Sequence, residues 1–195
     1  MADLYAIVGS MPRARFMLDC GVPYLQLRFK DEPLAPHAEE VAGWSAAYPA
    51  TRLIVNDDLA LAERVGAWGV HLGQEDLARH DPAAVRGTRL KLGISTHSDA
   101  EIDDALARGA AMLGFGPIYA TATKALKHTP TGPARLAEVV RRSPVPIVAI
   151  GGITDANLGE VVATGVAMVA MIANLDPLTE PARVHALMAR LRGGG

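Results

Sequence analysis

Two acidic clusters each follow a short apolar run: Leu53-Ile54-Val55 leads into Asn56-Asp57-Asp58, and Gly69-Val70-His71-Leu72 leads into Gly73-Gln74-Glu75-Asp76. If both runs are parallel strands joined by the helical segment between them, the right-handed crossover brings their polar ends to one edge of one sheet. Two carboxylate-bearing turns then face a common space. Paired carboxylates on a rigid edge suit a hard divalent cation such as magnesium, which takes a few carboxylate oxygens and keeps its other positions for water and substrate phosphate. Asp57 and Asp76 are the candidate ligands. Each also has a purely local alternative, Asp57 as a helix cap and Asp76 as a turn residue, because aspartate is favoured at both positions.

Other chemistry-bearing residues follow other apolar runs. In Gln26-Leu27-Arg28-Phe29-Lys30, strand alternation puts an amide and two cations on one side if the strand extends that far. Arg28 as a planar fork and Lys30 as a point charge suit a phosphate or pyrophosphate; the alternative is local pairing with Asp31 and Glu32. Ser95 could donate to a substrate, although Ser98 three residues before Glu101 marks a helix start. His97 is either a general acid or base or a structural residue at that helix entrance. The irregular stretch 116–133 is long enough for a lid or binding loop. Within it Thr121, Thr123 and Lys124 form an anion-binding set, while Lys127 and His128 read equally well as solvated loop residues. Gly151-Gly152 and the run Met168 to Met171 follow in the positions where many barrels bind phosphate through backbone N–H groups.

Eight apolar runs of similar length carry these residues: LYAIV, YLQLR, RLIV, GVHL, KLGIS, MLGFG, PIVAI and VAMVAM. Segments with helical spacing separate them. Strands apolar enough to be covered on both faces, alternating with helices, predict a parallel sheet. The fold class expected is α/β, a single (β/α)8 TIM barrel, small for its type; an open doubly wound sheet is the alternative. The helical pattern is weakest over residues 12–19 and 82–86. Glycines at 21, 66, 109 and 165, each just before a strand, predict helix ends.

The chain has 195 residues, half of them hydrophobic, enough for one domain over residues 1–192 with a disordered tail at 193–195. Its net charge of -2 arises from 19 basic and 21 acidic residues with no polybasic stripe. Nucleic acid and membrane partners are therefore not expected, and small-molecule substrates are. No apolar run approaches the roughly 20 residues of a membrane helix, which predicts a cytoplasmic protein. Its oligomeric state stays open, a homo-oligomer included. The lone Cys20 excludes an internal disulfide and a cysteine-cluster metal site.

In order and spacing, QLRFKD, VNDDLALA, GAWGVHLGQEDL, LGISTHSDAEIDDAL, GFGPIYATATK, VPIVAIGGIT and GVAMVAMI resemble the thiamine phosphate synthase family across nearly the whole chain. The resemblance implies a (β/α)8 barrel that joins hydroxymethylpyrimidine pyrophosphate to a thiazole phosphate alcohol and releases pyrophosphate, with Mg2+ as cofactor. It implies that Gln26, Arg28, Lys30 and Asn56 hold the pyrimidine pyrophosphate, that Asp57 and Asp76 hold the metal, and that Ser95 and Lys124 add contacts. Thr121, Thr123, Gly152, Val169 and Ala170 would line the thiazole phosphate site. Arg28, Lys30, Ser95 and Lys124 would carry the catalysis. The sequence departs from the family pattern at Gly9, usually acidic, at Ala122, usually proline, and at Ala170, usually serine. A thiazole tautomerase and a catalytically silent thiazole phosphate binder share the barrel and are the competing expectations; Asn56, Asp57, Asp76 and the QLRFK cations favour the synthase over the tautomerase.

Overall fold

Alternation of strand and helix closes into a barrel in the computed structural model, which describes residues 1–120, 129–175 and 178–193. The strands are β1 (Asp3–Val8), β2 (Tyr24–Leu27), β3 (Arg52–Asn56), β4 (Gly69–Leu72), β5 (Lys91–Thr96), β6 (Met112–Phe115), β7 (Ile147–Ala149) and β8 (Met168–Met171). Each pairs in parallel with its sequence neighbours, and β8 returns to β1. All eight apolar runs are strands, so the open sheet is excluded.

The helices are α1 (Met11–Asp19), α2 (Ala38–Ala47), α3 (Leu59–Arg64), α4 (Gln74–Leu77), α5 (Pro82–Gly87), α6 (Asp99–Ala107), α7 (Gly132–Arg142), α8 (Leu158–Ala163) and α9 (Pro181–Leu191). Local chemistry sets their limits. Asp58 caps α3 through the Leu61 N–H at 2.8 Å, Ser98 caps α6 through Glu101, and the glycines at 21, 66, 109 and 165 all take positive φ just beyond helix ends. The two weakly patterned segments are helices as well. In α1 a buried stripe of Met11, Ala14, Met17 and Leu18 supplies the packing that compensates for its poor periodicity. None of the described helices is long and apolar enough to cross a membrane.

Strand parity divides the core. Outward-facing residues such as Leu4, Leu25, Val55 and Val70 pack under the helices. Inward-facing Tyr5, Ile7, Ile54, Met112, Val148, Met168 and Ala170 fill the barrel. Its amino-terminal end is closed by aromatic rings: Tyr5 stacks on Tyr24 at 5.8 Å between centroids, and Trp68 meets Tyr24 edge-on. The Arg52 guanidinium lies over Tyr24 and Trp68 and donates to the Tyr24 hydroxyl at 2.8 Å. This plug leaves the carboxyl end of the strands as the place where a cavity can form.

Candidate functional site

A cavity of about 490 Å³ occupies that carboxyl end. Register explains how its polar wall is assembled. Ile7 pairs with Gln26, Gln26 with Ile54, Asn56 with His71, His71 with Gly93, and Ser95 with Gly114, so Gln26, Asn56, His71 and Ser95 share the inward parity. The strand β2 ends at Leu27 rather than extending through Lys30. Arg28 still donates its backbone N–H to the Val8 carbonyl at 2.9 Å, and Gln26, Arg28 and Lys30 all line the cavity.

Asp57 is the single non-glycine residue with positive φ among the described residues, at 64°. Such a conformation disfavours a Cβ-bearing residue and persists where surroundings over-determine it. Here the Asp57 N–H donates to the His71 carbonyl at 2.8 Å, and the His80 ring nitrogen lies 3.1 Å from the Asp57 carbonyl. The helix cap is Asp58, so the local alternative for Asp57 falls away. Asp76 lies in the first turn of α4 rather than in a loop. It forms an exposed ion pair with Arg79 at 3.2 Å.

The two carboxyl groups meet. Burial pushes the Asp57 carboxyl up, and the neighbouring Asp76 charge pushes the same way; the Gly73 N–H and the Arg28 charge oppose them only in part. Asn56 donates its side-chain amide to Asp57 Oδ2. A pair of carboxyl groups in hydrogen-bond reach must share a proton or a cation. Among the described residues there is no cluster of three or more His, Cys, Asp or Glu able to hold a metal. Asp57 and Asp76 could together hold a hard divalent ion whose remaining positions go to water and phosphate.

Ser95 faces the cavity, and its backbone carbonyl accepts from Gln74 Nε2 at 2.6 Å. Across the opening, Gly152 and Ala170 also line the space. Gly151 and Gly152 both have positive φ, at 100° and 64°. A Cβ on Gly152 would lie 2.4 Å from the Ala120 carbonyl oxygen, so the close packing of this turn requires glycine. Val169, between the inward-facing Met168 and Ala170, could meet a ligand there only through its backbone. Alternation in β8 turns Met168 and Ala170 inward and sends the Val169 side chain into the helix-facing core. Thr121, Thr123 and Lys124 lie outside the described residues.

His97 stands at the cavity edge, with its backbone N–H donating to Glu101 at 2.6 Å and Nδ1 lying 2.5 Å from the Gly116 carbonyl. These contacts agree with a structural role at the entrance to α6. Sequence reasoning passed over Tyr5 and His71. Tyr5 is fully buried in the cavity wall and its hydroxyl accepts from Gln26 Nε2 at 2.9 Å, which fixes the amide; burial raises the phenol well above its ordinary range. His71 Nε2 lies 2.9 Å from Ser95 Oγ. Burial, assisted by the Arg28 charge, pushes the imidazole down to about 4 and keeps it neutral at physiological pH. Both share the inward parity of Gln26 and Asn56, but only cross-strand register shows it, because each sits inside an apolar run.

Comparison with known proteins agrees with this geometry. The family profile described as thiamine monophosphate synthase matches residues 4–175. The chain is 43% identical over 173 residues to the thiamine-phosphate synthase of Cronobacter sakazakii, covering 87% of this chain and 82% of that protein. It is 39% identical over 198 residues to the Escherichia coli thiamine-phosphate synthase, covering 100% and 93%. The thiamine phosphate pyrophosphorylase structure from Pyrococcus furiosus superposes with a TM-score of 0.80 at 27% identity, over 97% of this chain and 94% of that one.

Proposed function

Because the chain belongs to the thiamine monophosphate synthase family and is an enzyme of the transferase class, we propose that its cavity joins hydroxymethylpyrimidine pyrophosphate to a thiazole phosphate alcohol, giving thiamine phosphate and pyrophosphate. The observation that supports this assignment is the convergence of Gln26, Arg28, Lys30, Asn56, Asp57, Asp76 and Ser95 on one wall of one cavity. An amide, two cations and a carboxylate pair are what an aminopyrimidine carrying a pyrophosphate would meet.

In this scheme the Gln26 amide, held by Tyr5, orients the pyrimidine, and Asn56 holds the neighbouring edge. Arg28 and Lys30 bind the pyrophosphate oxygens. Asp57 and Asp76 would hold Mg2+, which when bound neutralises pyrophosphate charge. The bond between the pyrimidine methylene carbon and the pyrophosphate oxygen breaks, and the oxygen keeps the electron pair. The cation left on the methylene is stabilised by the electron-rich aminopyrimidine ring. The thiazole nitrogen lone pair then forms the new carbon–nitrogen bond. No protein nucleophile is needed, so the chain's contribution is positional and electrostatic. Gly152 and Ala170, on the opposite side, would bound the thiazole phosphate, and Lys124, Thr121 and Thr123 complete the proposal from the sequence resemblance.

Incubating the purified chain with both substrates and Mg2+ tests this directly. Thiamine phosphate and pyrophosphate are expected in equal amounts. No product, under conditions where the thiazole phosphate binds, would select the silent binder. Isomerisation of a thiazole carboxylate without any pyrimidine would select the tautomerase.

A further inference from the structure

The His71 ring packs closely against the backbones of two neighbouring strands. A Cβ on Gly93 would lie 2.7 Å from His71 Nδ1, and one on Gly114 would lie 3.2 Å from Cε1, so the ring rests against two strand backbones that only glycine leaves free. Nδ1 is buried and has no hydrogen-bond partner, whereas Nε2 lies 2.9 Å from Ser95 Oγ. A neutral imidazole carries one proton, and the two nitrogens are not equivalent here. A proton on Nδ1 would bury an unpaired donor, the rarer and costlier kind of orphan. With the proton on Nε2, the ring donates to Ser95 Oγ and only a lone pair is left unpaired.

That choice has a consequence for Ser95. Once its oxygen accepts from His71, the hydroxyl proton must point elsewhere, and Ser95 lines the cavity. Gln74 Nε2 already occupies the Ser95 carbonyl, at 2.6 Å, which steadies the strand end. We propose that His71 is a positioning residue: it donates from Nε2 to Ser95 Oγ and so turns the Ser95 hydroxyl into a donor aimed at an acceptor atom of the pyrimidine pyrophosphate. The identity of that ligand rests on the proposed synthase activity; the tautomer of His71 does not.

Two measurements test it. Nitrogen-15 NMR of the histidine-labelled full chain near pH 7, without substrates, reads the tautomer, and His71 protonated on Nε2 is expected. Protonation on Nδ1 would overturn the proposal. Kinetics supply the second arm. His71→Phe, which keeps a ring and removes the donor, and Ser95→Ala should each lower kcat/KM for the pyrimidine pyrophosphate about 10- to 100-fold. The double variant should be no worse than the poorer single one, because the two residues act as a unit. His71→Gln, whose terminal amide can place a donor where Nε2 was, should recover part of the loss with the thiazole phosphate KM unmoved. Losses that multiply in the double variant, or a Gln variant no better than Phe, would overturn it. If the wild-type chain forms no thiamine phosphate, the assignment of activity fails while the tautomer still decides the role of His71.

Discussion

On the side of the cavity built from the ends of β2 to β5, the wall is made of charged and polar side chains, with Arg28, Lys30, Asn56, Asp57, Asp76 and Ser95 all lining it. On the side built from β6 to β8 the described residues contribute mainly backbone and apolar surface, from Gly114, Gly116, Gly151, Gly152, Ile150 and Ala170, with Thr154 and Asn174 as polar exceptions. The first side gathers charge that is expensive to hold without a ligand, as the raised Asp57 carboxyl shows. The second gathers chain segments so closely that side chains cannot be added. The start of the stretch after β6 is bonded to the end of β7, with Ile118 donating to Ile150 and Tyr119 to Gly151, both at 3.0 Å. One half of the mouth is therefore sensitive to changes of charge, the other to changes of volume.

The contrast can be broken most severely on the backbone side. A Cβ on Gly116 would lie 2.0 Å from the Ile150 carbonyl oxygen, so Gly116→Ala is expected to destabilise the fold by about 3 kcal/mol or more, because neither strand end can move aside. A urea unfolding midpoint unchanged from wild type would show that the backbone half is looser than its contacts imply. On the side-chain half the expected effect is on chemistry. Asp57→Ala and Asp76→Ala should each lower kcat/KM about 100-fold, some 2.7 kcal/mol of transition-state stabilisation, and leave the fold intact. Undiminished turnover in both variants would remove the carboxylate pair from the metal role.

The charge stored at Asp57 predicts a stability effect of its own. Its carboxyl is raised above the ordinary 3.8, so within the window between that value and the raised one the folded chain keeps a proton that the unfolded chain has lost. The associated stability is fully present below 3.8 and is lost as pH rises through the raised pKa. Asp57→Asn cannot ionise and tolerates positive φ. Without divalent cations, the difference in urea midpoint between variant and wild type should therefore grow in favour of the variant as pH rises across that window. A difference that stays flat with pH would mean the pair carries no strain. His71 contributes a slope of opposite sign in both proteins, since its depressed pKa makes stability fall as pH drops from 6.5 toward about 4, and it cancels in the comparison.

The smallest expected effect adds one hydroxyl to the backbone half. Ala170 lines the cavity where the family resemblance calls for serine. Ala170→Ser should lower the KM for the thiazole phosphate about fivefold, the worth of one added hydrogen bond of roughly 1 kcal/mol. An unchanged KM would show that backbone N–H groups already satisfy that phosphate.

The strand count, the helix-ending glycines and the cap at Ser98 could be read directly, because each depends on residues close together in the chain; the cap of α3 is Asp58 and not the neighbouring Asp57. So could the cavity positions of Arg28, Asp57 and Asp76, which follow from the rule that loops after parallel strands gather at one end. His71 and Tyr5 could not, because polar residues inside an apolar run look like core until cross-strand register shows which face they take. The outward direction of the Val169 side chain is not legible either, because proximity to the site in sequence says nothing of parity.

Sequence by itself set the alternation of eight strands with helices and the residue types that gather at one end of them, since hydrophobic periodicity and charge type are written residue by residue, while barrel closure excluded the open sheet. Tertiary structure alone decided which groups are coupled. The approach of Asp57 to Asp76, the left-handed backbone of Asp57 and the His71 contact with Ser95 all depend on angstrom-scale distances between different strands, and those distances are set by barrel closure, to which every strand contributes.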